Sequence, residues 1–305
     1  MWEYNEGKSV LDTGGSGFLG TTIVHRLVMS TSLSCIYLWR KWLPPIVNKL
    51  YDTKRLIVLD GDILLTNLLH IIIHAASSIN LGSALKRVSD PIIEASEIIA
   101  SLAFTCKRLD HVQINEEIYE PERQSHVLDE LAEAYAKHLT ERLLQHYFSV
   151  HASEKKLLIV RPAIATFTLA LTKEVRIATK MDDPDSRVII DEVPVDVVAD
   201  RLLCHLAMGT SGCIHAVSGV RPRLKFEELS NSLMKLRRIP ASFNFSEDKT
   251  IAMCQKLSEE EQQDLQLFTR IDISDDLLTQ TEAIRFAINA FARKRKIWRL
   301  IVWLF

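Results

Sequence analysis

The residues best suited to chemistry lie near the N-terminus, in Thr13-Gly14-Gly15-Ser16-Gly17-Phe18-Leu19-Gly20. Glycines at TGxxGxxG spacing serve three ends: a tight turn, close approach of backbone to a pyrophosphate, and packing of a helix on a strand. A short apolar run, Ser9–Leu11, precedes the motif, and an amphipathic stretch, Phe18–Met29, follows it. The motif requires that strand–turn–helix context, because a helix N-terminus offers unpaired N–H groups and a positive dipole end to phosphates. Gly14, Ser16, Gly17, Phe18, Leu19 and Gly20 are therefore expected to cradle a dinucleotide. Ser16 makes no GxSxG nucleophile elbow, since Phe18 occupies the final glycine place.

Three later features fall where such a fold would use them. Arg40 and Lys41 follow the second expected strand, where an adenosine ribose would sit. A cation there accommodates the 2′-phosphate of NADP, whereas an NAD site usually carries an acid; the other reading is a pair of solvated surface charges. Asp62, in Leu59-Asp60-Gly61-Asp62-Ile63, could accept from an adenine amino group. Ala75, in His74-Ala75-Ala76-Ser77, is small enough to let a cofactor lie against the backbone. His70 and His74 have no third ligand and no HExxH glutamate, so they read as structural and no metal is expected.

The elements that must position these residues alternate along the chain in the manner of βαβ units. Strands are expected at Ser9–Leu11, Cys35–Leu38, Leu56–Leu59, Ile71–Ala75, Val112–Ile114 and Leu157–Arg161, with helices at Phe18–Met29, Pro91–Lys107 and Val127–Tyr147. Asp196 is the expected N-cap and Gly209 the C-cap of a helix over Val197–Met208. Beyond Gly219 the pattern turns helical, at Phe226–Leu236, Leu257–Leu267 and Asp275–Arg295. The fold class is thus α/β, a Rossmann-like doubly wound parallel sheet over residues 1–219 with a helical region over 220–305.

Composition narrows the function classes. With 37 Lys and Arg against 39 Asp and Glu, the net charge of −2 disfavours a nucleic-acid binder that relies on global charge. A 47% hydrophobic content is too high for a disordered chain. No uninterrupted apolar window reaches the ~18 to 20 residues of a membrane span, and the start, MWEYNEGKSV, has no basic and apolar leader pattern. Five scattered cysteines fit reduced thiols in an intracellular, cytoplasmic setting.

TGGSGFLG, Arg40, the Gly61-Asp62-Ile63 and His74–Ser77 runs, Val160-Arg161-Pro162 and Val193–Val198 together resemble the extended short-chain dehydrogenase/reductases. More narrowly, with the tail from Leu257-Ser258-Glu259 to Phe291-Ala292-Arg293-Lys294, the chain resembles the fatty acyl-CoA reductases of the male-sterility type. That resemblance implies NADPH as cofactor, a long-chain acyl-CoA as substrate, and a fatty aldehyde or alcohol as product. It also implies a Tyr proton donor, a Lys that lowers the Tyr pKa, and a hydroxyl that holds the carbonyl oxygen.

The sequence departs from that pattern at the acid site. Lys137 matches the lysine of YxxxK, but Glu133 stands four residues earlier in place of the tyrosine. Tyr135 lies nearly opposite Lys137 on a helix and reads best as a core contact. Glu133 and Lys137 form a natural i, i+4 ion pair; were Glu133 buried beside the cofactor it could serve as an acid, although the lysine would lower its pKa. The expected serine is replaced by the run His111-Val112-Gln113-Ile114-Asn115, in which Gln113 or Asn115 could donate to a carbonyl. Between Asp62 and His74 only Ile63–Ile73 is available for a crossover that needs at least ~10 to 12 residues, and the fourth strand already uses some of these. The shortened segments suit a degenerate copy, or a chain from which coding segments were omitted. These losses keep open a non-catalytic nucleotide-binding member of the fold, and an extended-type sugar-nucleotide epimerase or dehydratase.

The C-terminal run FARKRKIWRLIVWLF, residues 291–305, places a basic cluster ahead of Trp298 and Trp303. It reads either as a peripheral membrane contact or as a helix packing on the domain.

Overall fold

The computed structural model describes residues 2–15, 17–39, 56–59, 67–76, 90–115, 132–151, 154–162, 189–190, 193–217, 224–225 and 246–268. Its strands are β1 (Ser9–Asp12), β2 (Cys35–Trp39), β3 (Leu56–Leu59), β4 (Ile71–His74), β5 (His111–Asn115), β6 (Lys156–Pro162), β7 (Ile189–Ile190), β8 (Gly212–Ala216) and β9 (Leu224–Lys225). The helices are α1 (Phe18–Ser30), α2 (Ala95–Thr105), α3 (Ala132–His151), α4 (Val195–Ala207), α5 (Asp248–Cys254) and α6 (Glu259–Asp264). The chain forms two compact units, and the first contains residues 1–163, 193–217 and 245–267.

Seven parallel strands in the order β3-β2-β1-β4-β5-β6-β8 make the sheet of the first unit. Successive side chains point to opposite faces, and both faces here are apolar, as a doubly covered parallel sheet demands. Val10, Ile36, Leu38, Ile71, Ile73, Leu158 and Val160 pack with Ile23, Val24 and Leu27 of α1 and Val198, Leu202 and Leu206 of α4. On the other face Leu11, Ile72, Val112, Ile114 and Ile159 pack with Ile99 and Ala103 of α2 and Leu144 and Phe148 of α3. The strand order reverses between β1 and β4, so their carboxyl ends border a crevice.

The short crossover after β3 does not break this topology. β3 and β4 both keep parallel places in the sheet, on either side of β2 and β1, and residues 60–66 between them lie outside the described residues.

Element ends differ from the sequence expectations for local reasons. The second crossover helix opens with a wide π turn at Asp90–Glu94 before α2, in place of a regular helix from Pro91. In α4 the N-cap is Pro194, and Asp196 lies in the first turn, its Oδ1 accepting the Val197 N–H at 3.0 Å. Gly209 does close that helix: at φ +68° its N–H meets the Leu206 carbonyl and the Thr210 N–H meets that of His205, a Schellman pair. Expected helix Leu257–Leu267 contracts to α6, which opens with a capping box between Ser258 and Glu261.

Residues 245–267 lie beyond the Gly219 boundary expected from sequence, yet they group with the sheet. Arg201 on α4 is the reason: its fully buried guanidinium pairs with Glu247 and donates to the carbonyls of Val217 and Leu267, both at 2.6 Å. Arg26 adds a bidentate pair to Asp200 and a bond to the Asp264 carbonyl. The second unit comprises residues 164–192, 218–244 and 268–305; its described part is the antiparallel β7–β9 pair, with Ile189 opposite Lys225 and Ile190 opposite Leu224. The expected helices Phe226–Leu236 and Asp275–Arg295 and the tail 291–305 lie outside the described residues.

Candidate functional site

The glycine turn sits at the carboxyl end of β1, beside the β1–β4 reversal. The Thr13 N–H donates to the Ile73 carbonyl at 3.1 Å, prolonging the strand pairing into the turn. A β-carbon on Gly14 would lie 2.5 Å from the carbonyl carbon of Ala75 and 2.7 Å from its Cβ. One on Gly20 would lie 2.0 Å from the Gly14 carbonyl oxygen. Those glycines are required by packing: one lets β4's end touch the turn, the other lets α1 descend onto it. Gly17 differs, because the nearest described atom to its would-be β-carbon is the Gly14 oxygen at 3.2 Å.

Gly17 is also the N-cap of α1, with extended backbone (φ −82°, ψ 175°) and no side-chain cap. Its own N–H is used, donating to Gly14 at 2.8 Å, and the first helical bond runs from the Thr21 N–H back to Gly17. The first-turn N–H groups of Phe18, Leu19 and Gly20 therefore lack intrahelical acceptors, as helix starts always do, and the N-cap Gly17 offers no side chain to replace them. A thirteen-residue helix whose uncapped N-terminus opens at the strand crossover suits a pyrophosphate. The glycine turn and the free first-turn N–H groups of α1, at the carboxyl edge of β1, fit a dinucleotide.

The flanks of the crevice are braced by polar contacts. His74, buried at the end of β4, spans Thr13 Oγ1 (2.7 Å from Nδ1) and Ser96 Oγ of α2 (3.3 Å from Nε2). Burial pushes its pKa down to about 4, so the ring is a neutral strut. His70 accepts the Ser9 N–H at 3.1 Å. The two histidines belong to separate structural contacts, and no metal-binding cluster occurs among the described residues.

One acid escapes sequence reasoning. Asp12 ends β1, where the sequence suggests a strand stopping at Leu11, and it is fully buried. Its Oδ1 accepts the Gly14 N–H at 2.7 Å, while Oδ2 has no partner among the described residues. Burial raises its pKa to about 7, opposed in part by the Gly14 bond. The available signal was an acid closing an apolar strand next to the turn.

On the opposite helical layer, Lys137 is buried in α3, one turn before Glu141. Arg161, at the end of β6, grips Glu141 through Nε at 2.7 Å and through Nη2. Gln113 is buried on β5, but strand alternation places it on the α1–α4 side of the sheet. It therefore lies on the face opposite α3 and Lys137. Ser16, Arg40 and Asp62, with the side chains of Phe18, Asn115, Glu133 and Tyr135, lie outside the described residues. All five cysteines are free, and no helix among the described residues is long and apolar enough to cross a membrane.

No protein-family model matches the sequence, and neither does any curated protein. Solved structures do match. The Bordetella bronchiseptica enzyme WbmF, in complex with NAD+ and UDP, has 16% identity and a TM-score of 0.62 over 95% of this chain and 98% of its own. The fold is Rossmann-like. The UDP-Glc/GlcNAc 4-epimerase from Campylobacter jejuni has 15% identity and a TM-score of 0.64, over 86% of this chain and 98% of its own. The terminal R domain of the myxalamid PKS-NRPS pathway has 16% identity and a TM-score of 0.56, over 88% and 80%. At 15–16% identity these likenesses show a shared fold.

Proposed function

We propose that this chain binds a nicotinamide dinucleotide at the carboxyl edge of β1 and β4 and uses it in redox chemistry on a nucleotide-linked substrate, a sugar nucleotide first. The observation that carries the reading is the turn, in which packing claims Gly14 and Gly20 while Gly17, whose would-be β-carbon meets only the Gly14 oxygen among the described atoms, caps α1 without a side chain. The N–H groups of Phe18, Leu19 and Gly20 would hold the pyrophosphate, and Ala75 would line the floor. When bound, the nicotinamide supplies or accepts hydride. Arg40 and Lys41 favour the 2′-phosphorylated form, NADPH, although the neighbours named above with a dinucleotide carry NAD.

The sugar-nucleotide substrate is supported by the UDP of WbmF and the substrate named for the Campylobacter epimerase. A second reading, reduction of a long-chain acyl-CoA, is favoured by the order of motifs along the sequence and by the R-domain likeness. It would give the basic-aromatic run 291–305 a use at a membrane surface. In both readings Glu133 stands where the proton donor is expected, so binding and turnover are separate questions.

The test begins with the full chain, folded and loaded with dinucleotide. Conversion of UDP-glucose or UDP-N-acetylglucosamine, followed by chromatography, supports the first reading. Loss of reduced-nicotinamide absorbance that depends on acyl-CoA supports the second and overturns the first. Binding without either conversion overturns the enzymatic half and leaves a nucleotide-binding protein; absence of binding overturns the whole.

A further inference from the structure

Asp12 is the buried acid that the proposed function leaves unused. It lies in the last position of β1, under the turn that the dinucleotide would cover, with Oδ1 tied to the Gly14 N–H. Gly14 in turn accepts the Gly17 N–H at 2.8 Å. One residue, Gly14, therefore links the carboxyl group to the N-cap of α1, where a pyrophosphate would bring two negative charges.

We propose that Asp12 is a positioning residue for the dinucleotide turn that supports binding in its protonated form and opposes it when ionised. This rests on the dinucleotide reading above and adds a regulation of that same site. In the protonated form Oδ1 fixes Gly14 as a neutral acceptor and contributes no charge. Loss of the proton leaves the same bond in place and sets a fixed negative charge beside the pyrophosphate, in a water-poor environment that screens little. Burial places the changeover near neutrality, at about 7.

The surrounding groups leave this titration to Asp12. β4 contributes His74, held neutral and committed to Thr13 and Ser96. Leu38 of β2 is apolar and buried. From α1 come His25 and Arg26, and from α4 come Asp196, Asp200, Arg201 and His205. Of these, Arg26 and Asp200 are paired with each other, Arg201 with Glu247, and His205 with Thr210 and Thr250. Asp12's raised pKa traces to burial, opposed in part by the Gly14 bond, and no charged side chain contributes to it.

The probe is NADH, whose pyrophosphate keeps its charge throughout the range. Its affinity for the full chain is measured by nicotinamide fluorescence from about pH 6 to about pH 8.5, with Asp12→Asn in parallel. That variant keeps the oxygen acceptor and cannot ionise, and circular dichroism checks that it folds. The wild type should lose about tenfold in affinity over the range, with a midpoint near 7. D12N should hold one affinity across it, close to the acid limit of the wild type. Binding by the wild type that is flat with pH, or an equal loss in D12N, overturns the role of Asp12 and leaves the dinucleotide reading standing. Should neither protein bind at any pH, both fall together. If D12N fails to fold, the wild-type profile alone decides: a tenfold loss centred near 7 upholds the inference, and a flat profile overturns it.

Discussion

Gly14→Ala and Gly17→Ala should separate folding from binding, although they lie three residues apart in one motif. At Gly14 the added carbon meets the Ala75 carbonyl carbon, Cβ and carbonyl oxygen at 2.5, 2.7 and 2.8 Å. None of those atoms is the end of a flexible side chain, so relief requires β1 and β4 to part where the sheet reverses. Overpacking typically costs ~1–3 kcal/mol, and this site belongs at the upper end, about 3 kcal/mol, or a fall in Tm of roughly 6 °C or more. At Gly17 the single described contact is 3.2 Å and φ is −82°, which an L-residue adopts freely. The cost there is that of alanine for glycine at an N-cap, roughly 0.5–1 kcal/mol. Its methyl group instead enters the space assigned to pyrophosphate, and losing one charge-assisted hydrogen bond costs ~1.5–3 kcal/mol, or about tenfold to 100-fold in affinity. Thermal unfolding and NADH titration of both variants measure the two effects. A folded Gly17→Ala protein with unchanged affinity, or a Gly14→Ala protein with wild-type Tm, would refute the reasoning.

Arg201→Met should leave Glu247 as an uncompensated buried charge and lower stability by about 3–5 kcal/mol; denaturant unfolding reads it, and a loss under 1 kcal/mol contradicts the clasp. Acid should also destabilise the fold. His74, His111 and His205 have pKa values lowered to about 4 from 6.5 by burial, so their stabilising share is complete above 6.5 and is lost as the pH falls through about 4. At pH 5 each costs about 2 kcal/mol. Asp12, with its pKa raised to about 7, works the other way, gaining stability as the pH falls below 7 and offsetting roughly one histidine. A urea midpoint equal at pH 7 and pH 5 would contradict neutral burial. Arg40→Ala should weaken NADPH at least tenfold more than NADH, and equal losses in competition titrations would exclude contact with the 2′-phosphate.

Much of this fold is legible in local pattern. The β1-turn-α1 unit is readable because each glycine answers a local demand, and the six apolar runs became strands because a doubly covered sheet leaves them few alternatives. Asp12 was missed for a physical reason: an acid next to a turn reads as solvated unless the packing above it is known. The grouping of residues 245–267 with the sheet depends on the Arg201–Glu247 pair, which spans 46 positions and has no periodic signature. The face that Gln113 presents follows from strand alternation, which places it on the α1–α4 side of the sheet.

A calorimetric titration of the folded full chain with NADH and with NADPH tests the central claim most directly. Saturable binding of one dinucleotide per chain, abolished by Gly17→Val without loss of the folding transition, is the predicted result. Absence of binding heat from folded protein, or binding that survives Gly17→Val, would contradict a dinucleotide site at the β1–α1 turn.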